Sequence, residues 1–203
     1  MKQIILLLNL FLCLHANIAG QTLLSKRDAF NKDCTITKSG YTYQCDVVEK
    51  AAFVTLFNKN NKWVYEQNVF KDTGEYYDME TGHRPVSVIE NPTMESKSFK
   101  IVDEAFSEEV AKQFGEQYLG ISLYLDPMTG KVNEVVFSFM TFSLYPRIPI
   151  SVYRDLELKL KKEISLVPTE IGKKLNYILV SWSQKPKGKL TLINKRPTLS
   201  IDD

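Results

Sequence analysis

Asp78 and Glu80 lie two residues apart beside Tyr76 and Tyr77, a grouping of carboxylates and aromatic rings that could face a sugar. Glycoside hydrolysis needs two carboxylates at a set separation across a cleft, and near neighbours in a turn-like stretch read first as exposed loop acids. His83 follows in Glu80-Thr-Gly-His-Arg-Pro85 and is the one histidine beyond the first twenty residues. That removes His-pair metal sites and leaves any Ser-His-acid or Cys-His catalysis to His83 alone; in a turn it reads as a solvated side chain. The chain has no GxGxxG, GxxxxGK[ST], HExxH or GxSxG string, so phosphate cradles, zinc-protease helices and nucleophile elbows are not expected. No catalytic residue is assigned, and neither a cofactor nor a metal is expected.

Aromatic side chains are the other chemistry on offer. Phe53, Phe57, Phe137 and Phe139 fall on strand patterns and read as core. Trp63, Tyr65, Tyr76, Tyr77 and Trp182 are the candidate binding residues, because Trp and Tyr stack on a ligand while presenting a polar edge. Hairpin or core packing is the competing role for each.

Cys34 and Cys45 are the cysteines left once a leader containing Cys13 is removed, an even number that reads as one bridge in an oxidising compartment. The segment between them reads as a hairpin turning at Ser39-Gly40. Both cysteines are equally far from that turn and so directly opposed, at ~4.5 to 5.5 Å between Cα atoms, which a disulfide accepts. A metal or redox pair is the alternative, but ten intervening residues and no adjacent histidine supply neither its spacing nor its other ligands.

The elements that would position these groups follow from pattern. Ala51 to Phe57 is a β-rich run, Asn58 to Asn61 a turn cluster, and Lys62 to Gln67 is expected to return as its hairpin partner. Lys71 to Pro92 reads as turns. Ser107 caps a short helix that Gly115 ends. Leu119, Ile121, Leu123 and Leu125 alternate as a half-buried strand, Asp126 to Gly130 is turn chemistry, and Lys131 to Phe142 is a strand apolar on both faces. Ser151 to Ile164 has two readings: Leu156, Leu158 and Leu160 at period two suit a strand, whereas Tyr153, Leu156, Leu160 and Ile164 share one helical face. The helix is favoured by the lack of Gly, Pro and β-branched residues from Tyr153 to Glu163, by Ser151 as N-cap, and by the pairs Asp155/Lys159 and Glu157/Lys161. Lys174 to Ser183 is a third such strand. The expected fold class is α+β: an antiparallel sheet built from hairpins with a ββαβ C-terminal unit, one main helix on the sheet, and one disulfide hairpin near the N-terminus.

Met1 and Lys2, an apolar run from Ile4 to Leu14, and a stretch ending in Ala19-Gly20 have the order of a secretory signal. The run is shorter than the ~20 residues that cross a bilayer as a helix. The chain is therefore expected to divide into a signal peptide over 1–20, a single domain over 21–185 with a permitted subdivision near 98, and a polar tail or edge strand over 186–203. It is expected to be secreted or periplasmic, without membrane insertion of the mature part. Its 26 basic and 24 acidic residues nearly balance, which argues against a nucleic-acid partner; the basic excess beyond Thr141 reads as a solvated helix face and tail.

Leu125-Asp-Pro-Met-Thr-Gly-Lys-Val-Asn-Glu-Val135, the helix after it, and Gly172-Lys-Lys-Leu-Asn-Tyr-Ile-Leu-Val-Ser-Trp182 resemble an uncharacterised family of small exported proteins from gut Bacteroidetes. Lys62-Trp-Val-Tyr-Glu-Gln67 and Met79-Glu-Thr-Gly82 resemble it as well. The resemblance implies no activity. The strand, turn, strand, helix, strand order also looks like the TonB C-terminal domain by pattern alone, without that protein's N-terminal anchor or Pro-rich spacer, and fold likeness does not carry function. Two function classes stay open. The favoured one is a non-catalytic binding or interaction domain whose partner is an envelope protein or a glycan. The other is a carboxylate-based hydrolase acting on glycan or peptide. A deep pocket holding two acids favours the hydrolase; a shallow aromatic surface or open strand edge favours the binding domain.

Overall fold

The fold is that of a computed structural model, which describes residues 30, 32–77, 88–90 and 94–189, with only the backbone path of Met94 and Glu95. The expected leader over 1–20, Asp78, Glu80, His83 and the tail beyond Lys189 lie outside the described residues. Six strands form one antiparallel sheet: β1 (Cys34–Lys38), β2 (Tyr41–Val48), β3 (Phe53–Asn58), β4 (Leu119–Leu125), β5 (Val132–Met140) and β6 (Ile178–Gln184), in the order β1-β2-β3-β5-β4-β6. Three α-helices accompany it among the described residues: α1 (Met94–Glu104), α2 (Glu108–Gln113) and α3 (Ile150–Glu163). The architecture is α+β, and β4, β5, α3 and β6 follow the expected ββαβ order. No helix among the described residues is long and apolar enough to cross a membrane.

Period-two alternation assigns the two faces of the sheet. Register aligns Cys34, Cys45, Leu56, Phe137, Ile121 and Trp182 in one row across all six strands. This row and its neighbours carry the main core, closed by α3 through Tyr153, Leu156 and Leu160. Tyr153 lies with its ring centroid 5.1 Å from that of Phe137 and 5.9 Å from that of Phe139. The opposite face carries Phe57, Tyr124 and Val136, which with Tyr177 form a smaller cluster under Trp63 and Val64.

Helix wins over strand in α3, because the three-and-four spacing puts Tyr153, Leu156 and Leu160 all on the core. Leu158, which the period-two reading would bury, is 47 % exposed, while Leu160 is fully buried. The helix begins a residue earlier than Ser151, with Pro149 as N-cap and no side-chain cap bond. Lys159 reaches Glu104 on α1 at 2.7 Å, a partner outside the expected intrahelical pairs. Ser107 does cap α2, accepting from the Val110 N–H at 3.3 Å. In the turn after β4, Asp126 Oδ1 accepts from the N–H groups of Met128 and Thr129. Gly130 there has φ +65°, and a Cβ on it would collide with the Leu166 carbonyl.

Two further expectations are corrected. Lys62 to Gln67 is not a strand: Trp63–Tyr65 is a 3₁₀ turn. β3 already pairs with β2 on one side and β5 on the other, so no edge remains for a hairpin partner, and the segment crosses the outer face instead. The Cys34–Cys45 bridge is also corrected: the residues are opposed as expected, yet both are free thiols. The reason lies in the ladder's alternation. Ser39 and Gly40 have φ of 48° and 81° and close a two-residue turn. The Thr42 carbonyl faces β3, where it accepts from Lys59 N–H, whereas Val47 N–H points to the other side and donates to Asp33. Cys45 shares the parity of Val47, so Cys34 and Cys45 form a hydrogen-bonded pair, the wider kind. In pairs of that kind Cβ atoms ordinarily stand toward the upper end of ~4.5 to 5.5 Å, beyond the ~3.5 to 4.5 Å a disulfide prefers. Burial, and then the adjacent Cys34, push the Cys45 thiol pKa up.

Leu158→Lys is expected to leave stability nearly unchanged, whereas Leu160→Lys buries an unpaired charge and costs about 3 kcal/mol or more, as read from denaturant melts of the two variants. Alkylation without reductant is expected to label Cys34 in the folded protein and Cys45 only on unfolding, since Cys45 has no exposed surface; peptide mapping showing a Cys34–Cys45 crosslink would contradict this.

Candidate functional site

Beside its core stripe, α3 carries a polar stripe at the same spacing: Arg154, Glu157 and Lys161. Glu157 has no exposed surface, and a buried carboxylate must be answered by donors. Arg154 Nη1 donates to its Oε2 at 2.8 Å and Lys161 Nζ to its Oε1 at 2.6 Å. Tyr43 donates its hydroxyl to Oε2, and Asn58 Nδ2 approaches both oxygens at 3.4 and 3.5 Å. Tyr43 and Asn58 are register partners on β2 and β3, so they reach the helix side together. Burial opposes the charge on Glu157, but hydrogen bonds from Lys161 and Tyr43 and the charge of Lys161 outweigh it and hold the carboxyl below its ordinary range. Burial and the Glu157 charge push the Tyr43 phenol up. The Arg154 guanidinium also lies over the Tyr41 ring, 5.7 Å from its centroid.

A second carboxylate stands nearby on β5. Glu134 is nearly buried and accepts from Lys62 N–H at 2.6 Å and Trp63 N–H at 3.0 Å. It thereby fixes the start of the 3₁₀ turn, while Asn61 Nδ2 donates to the Val135 carbonyl at 3.1 Å. Between this loop and α3 lies a pocket of about 620 Å³, within the ~300 to 1,000 Å³ range of small-molecule sites. Arg154, Glu157 and Lys161 form one wall; Lys62, Trp63 and Glu134 form another, and Asn58, Asn60, Asn61 and Asn133 supply four carboxamides. Among the described residues no cluster of three or more His, Cys, Asp or Glu could hold a metal.

The expected aromatic residues do not converge. Trp63 stacks on Tyr177 at 5.7 Å and lines the pocket. Tyr65 meets Phe57 edge-on and donates its hydroxyl to Asp46. Tyr77 meets Phe70 edge-on, and Tyr76 is largely exposed in a bridge with Val69. Trp182 lies on the helix side against Phe99, its indole donating to Gln184 at 2.9 Å. A smaller hollow of about 340 Å³ on the outer face has Phe53, Tyr118 and Phe142 around Gly120 and Ser138. Phe142 is 72 % and Tyr118 57 % exposed. A Cβ at position 120 would overlap the Ser138 hydroxyl, so glycine keeps that floor low.

Sequence reasoning saw Glu157 and Lys161 only as a surface pair. It missed Tyr43 and Asn58, which are 114 and 99 residues away in the chain. The signal available was an Arg-x-x-Glu-x-x-x-Lys stripe beside an apolar stripe on one helix, together with a polar Asn58 at the end of an apolar strand.

Fold and site together define an α+β domain with a polar pocket at the β3/β5 end of its sheet and no assembled catalytic set among the described residues. The chain belongs to the DUF5043 family, described as a domain of unknown function, which it matches over residues 28–182. It is similar to a crystal structure of a DUF5043 family protein from Bacteroides uniformis ATCC 8492, with 45 % identity and a TM-score of 0.76 over 83 % of this chain and 100 % of that one. No curated protein matches it.

Because the folded Glu157 carboxyl titrates below its ordinary value of 4.5, its contribution to stability is present above that value and is lost as pH falls toward the depressed one. Glu157→Gln leaves two cations facing a neutral group and is expected to cost about 3 kcal/mol at pH 7. Urea melts at pH 7 and pH 3 check both statements: the gap between variant and parent should narrow at the lower pH.

Proposed function

We propose that the chain is an exported protein whose mature domain binds a ligand without transforming it, acting in the periplasm or outside the cell on a glycan or an envelope protein. One observation carries the reading: both carboxylates of the pocket are already engaged by the protein's own donors, Glu157 saturated by four side chains and Glu134 tied to two backbone N–H groups. A general acid must hold a proton near working pH, and a nucleophile must present a free lone pair. Glu157, held ionised and enclosed, offers neither. The exposed ring ledge of Phe53, Tyr118 and Phe142 adds an apolar surface of the kind interfaces use. Export rests on Lys2, the apolar run to Leu14 and Ala19-Gly20. The strand, turn, strand, helix, strand order supports the likeness to the TonB C-terminal domain only as topology, and energy coupling is no part of this reading.

The hydrolase alternative is favoured by one specific fact, that two carboxylates do line one pocket of suitable volume. Incubating the mature chain with a panel of neutral and acidic glycans and short peptides separates the two. Saturable binding with no product is expected. Product whose formation ceases in Glu134→Gln would replace the binding reading with the hydrolase. N-terminal sequencing of protein recovered from its host tests export, where a chain beginning near residue 21 is expected and retained Met1 on soluble product would overturn it.

A further inference from the structure

The pocket beside α3 carries more donors and more positive charge than its own carboxylates consume, and we propose that it takes an acidic saccharide, a sugar ring bearing a carboxylate. This rests on the ligand-binding reading and names the ligand class. Three cations, Lys62, Arg154 and Lys161, line the pocket against two carboxylates. A carboxylate has about four acceptor sites, and Tyr43, Asn58, Arg154 and Lys161 already fill those of Glu157. A guanidinium has five N–H donors and an ammonium three. Arg154 meets Glu157 through Nη1, and Lys161 through one contact, with both side chains 27 % exposed. Lys62 lines the pocket and meets Glu134 through its backbone N–H, so that carboxylate does not consume its ammonium. These cations suit a carboxylate, and Arg can hold one in a bidentate grip.

The remainder of the lining selects a sugar as the carrier of that charge. Each carboxamide offers both donor and acceptor, matching a hydroxyl that is both, and Asn60 and Asn133 add this capacity beside the cations. Trp63 supplies an amphipathic ring on the same wall. An acidic peptide side chain would engage the cations and leave the carboxamides without hydroxyl partners. A neutral glycan would engage the carboxamides and leave the excess charge unanswered.

The experiment uses the mature full-length chain and NMR titration with a galacturonic acid trisaccharide, a galactose trisaccharide and triglutamate. The chain has two tryptophans, and Trp182 packs against Phe99 and is not among the residues that line the pocket, so the Trp63 indole N–H reports the pocket with an internal control. The acidic trisaccharide is expected to shift Trp63 and not Trp182, with the neutral one at least about tenfold weaker, since charge-assisted bonds separate the two. Lys62→Ala, which keeps the backbone bond to Glu134, should weaken the acidic trisaccharide by about tenfold and the neutral one by clearly less. Equal response to both sugars would overturn the acid preference while the binding reading stands. Response to triglutamate alone would overturn the saccharide assignment. No response to any of the three would overturn the inference, with the broader panel then deciding the reading beneath it.

Discussion

A single negative charge sealed inside the molecule organises its polar half. Taking a carboxylate out of water costs several kcal/mol unless the geometry around it is good, and Glu157 is answered from three elements at once: Tyr43 on β2, Asn58 on β3, and Arg154 and Lys161 on its own helix. These contacts fix the height and rotation of α3 over the sheet more tightly than apolar packing alone, which tolerates sliding. A register slip of one residue would turn Tyr43 to the other face and leave the carboxylate short of a donor. The demand also draws two long cationic side chains inward along one wall, which explains why a pocket next to an acid is basic in balance.

The same logic operates at smaller scale on the outer face. Glu134 is held by the backbone of Lys62 and Trp63, so it acts as an anchor for the turn that lays Trp63 over Tyr177. The two carboxylates thus have structural duties on either side of the pocket. The open ledge around Phe142 lies on the outer face, where the wall of small residues Gly120 and Ser138 leaves room that larger side chains would fill.

Much of the fold was legible because it follows from local periodicity. The alternation in β4, the turn chemistry of Asp126 to Gly130, the Ser107 cap and the helical stripe of α3 each need only a few neighbouring residues. What was missed depends on pairing at a distance. Lys62 to Gln67 has strand-like residues, but whether it can pair depends on β5, some seventy residues later, having taken the edge. The opposition of Cys34 and Cys45 follows from symmetry about the turn, whereas the kind of ladder position they occupy depends on which way each backbone group points. α1, with only modest apolar content in Met94–Glu104, gave no pattern that stood out. The site was least legible of all, since an i,i+4 acid-base pair looks the same on a helix whether the sheet beneath it supplies a tyrosine or water.

The junction between β3 and β5 carries a kinetic consequence. Leu56 pairs with Phe137 across a gap of roughly eighty residues, while β1, β2 and β3 meet through short turns, as do β4 and β5. Two locally assembled leaves must therefore find each other through a large loop, the kind of search that slows folding. Asn58 and Glu134 sit at the end of that junction, so the pocket has no existence in either leaf alone. It should be acquired late, in the same event that joins the sheet, and its ligand would meet only chains that have completed that event.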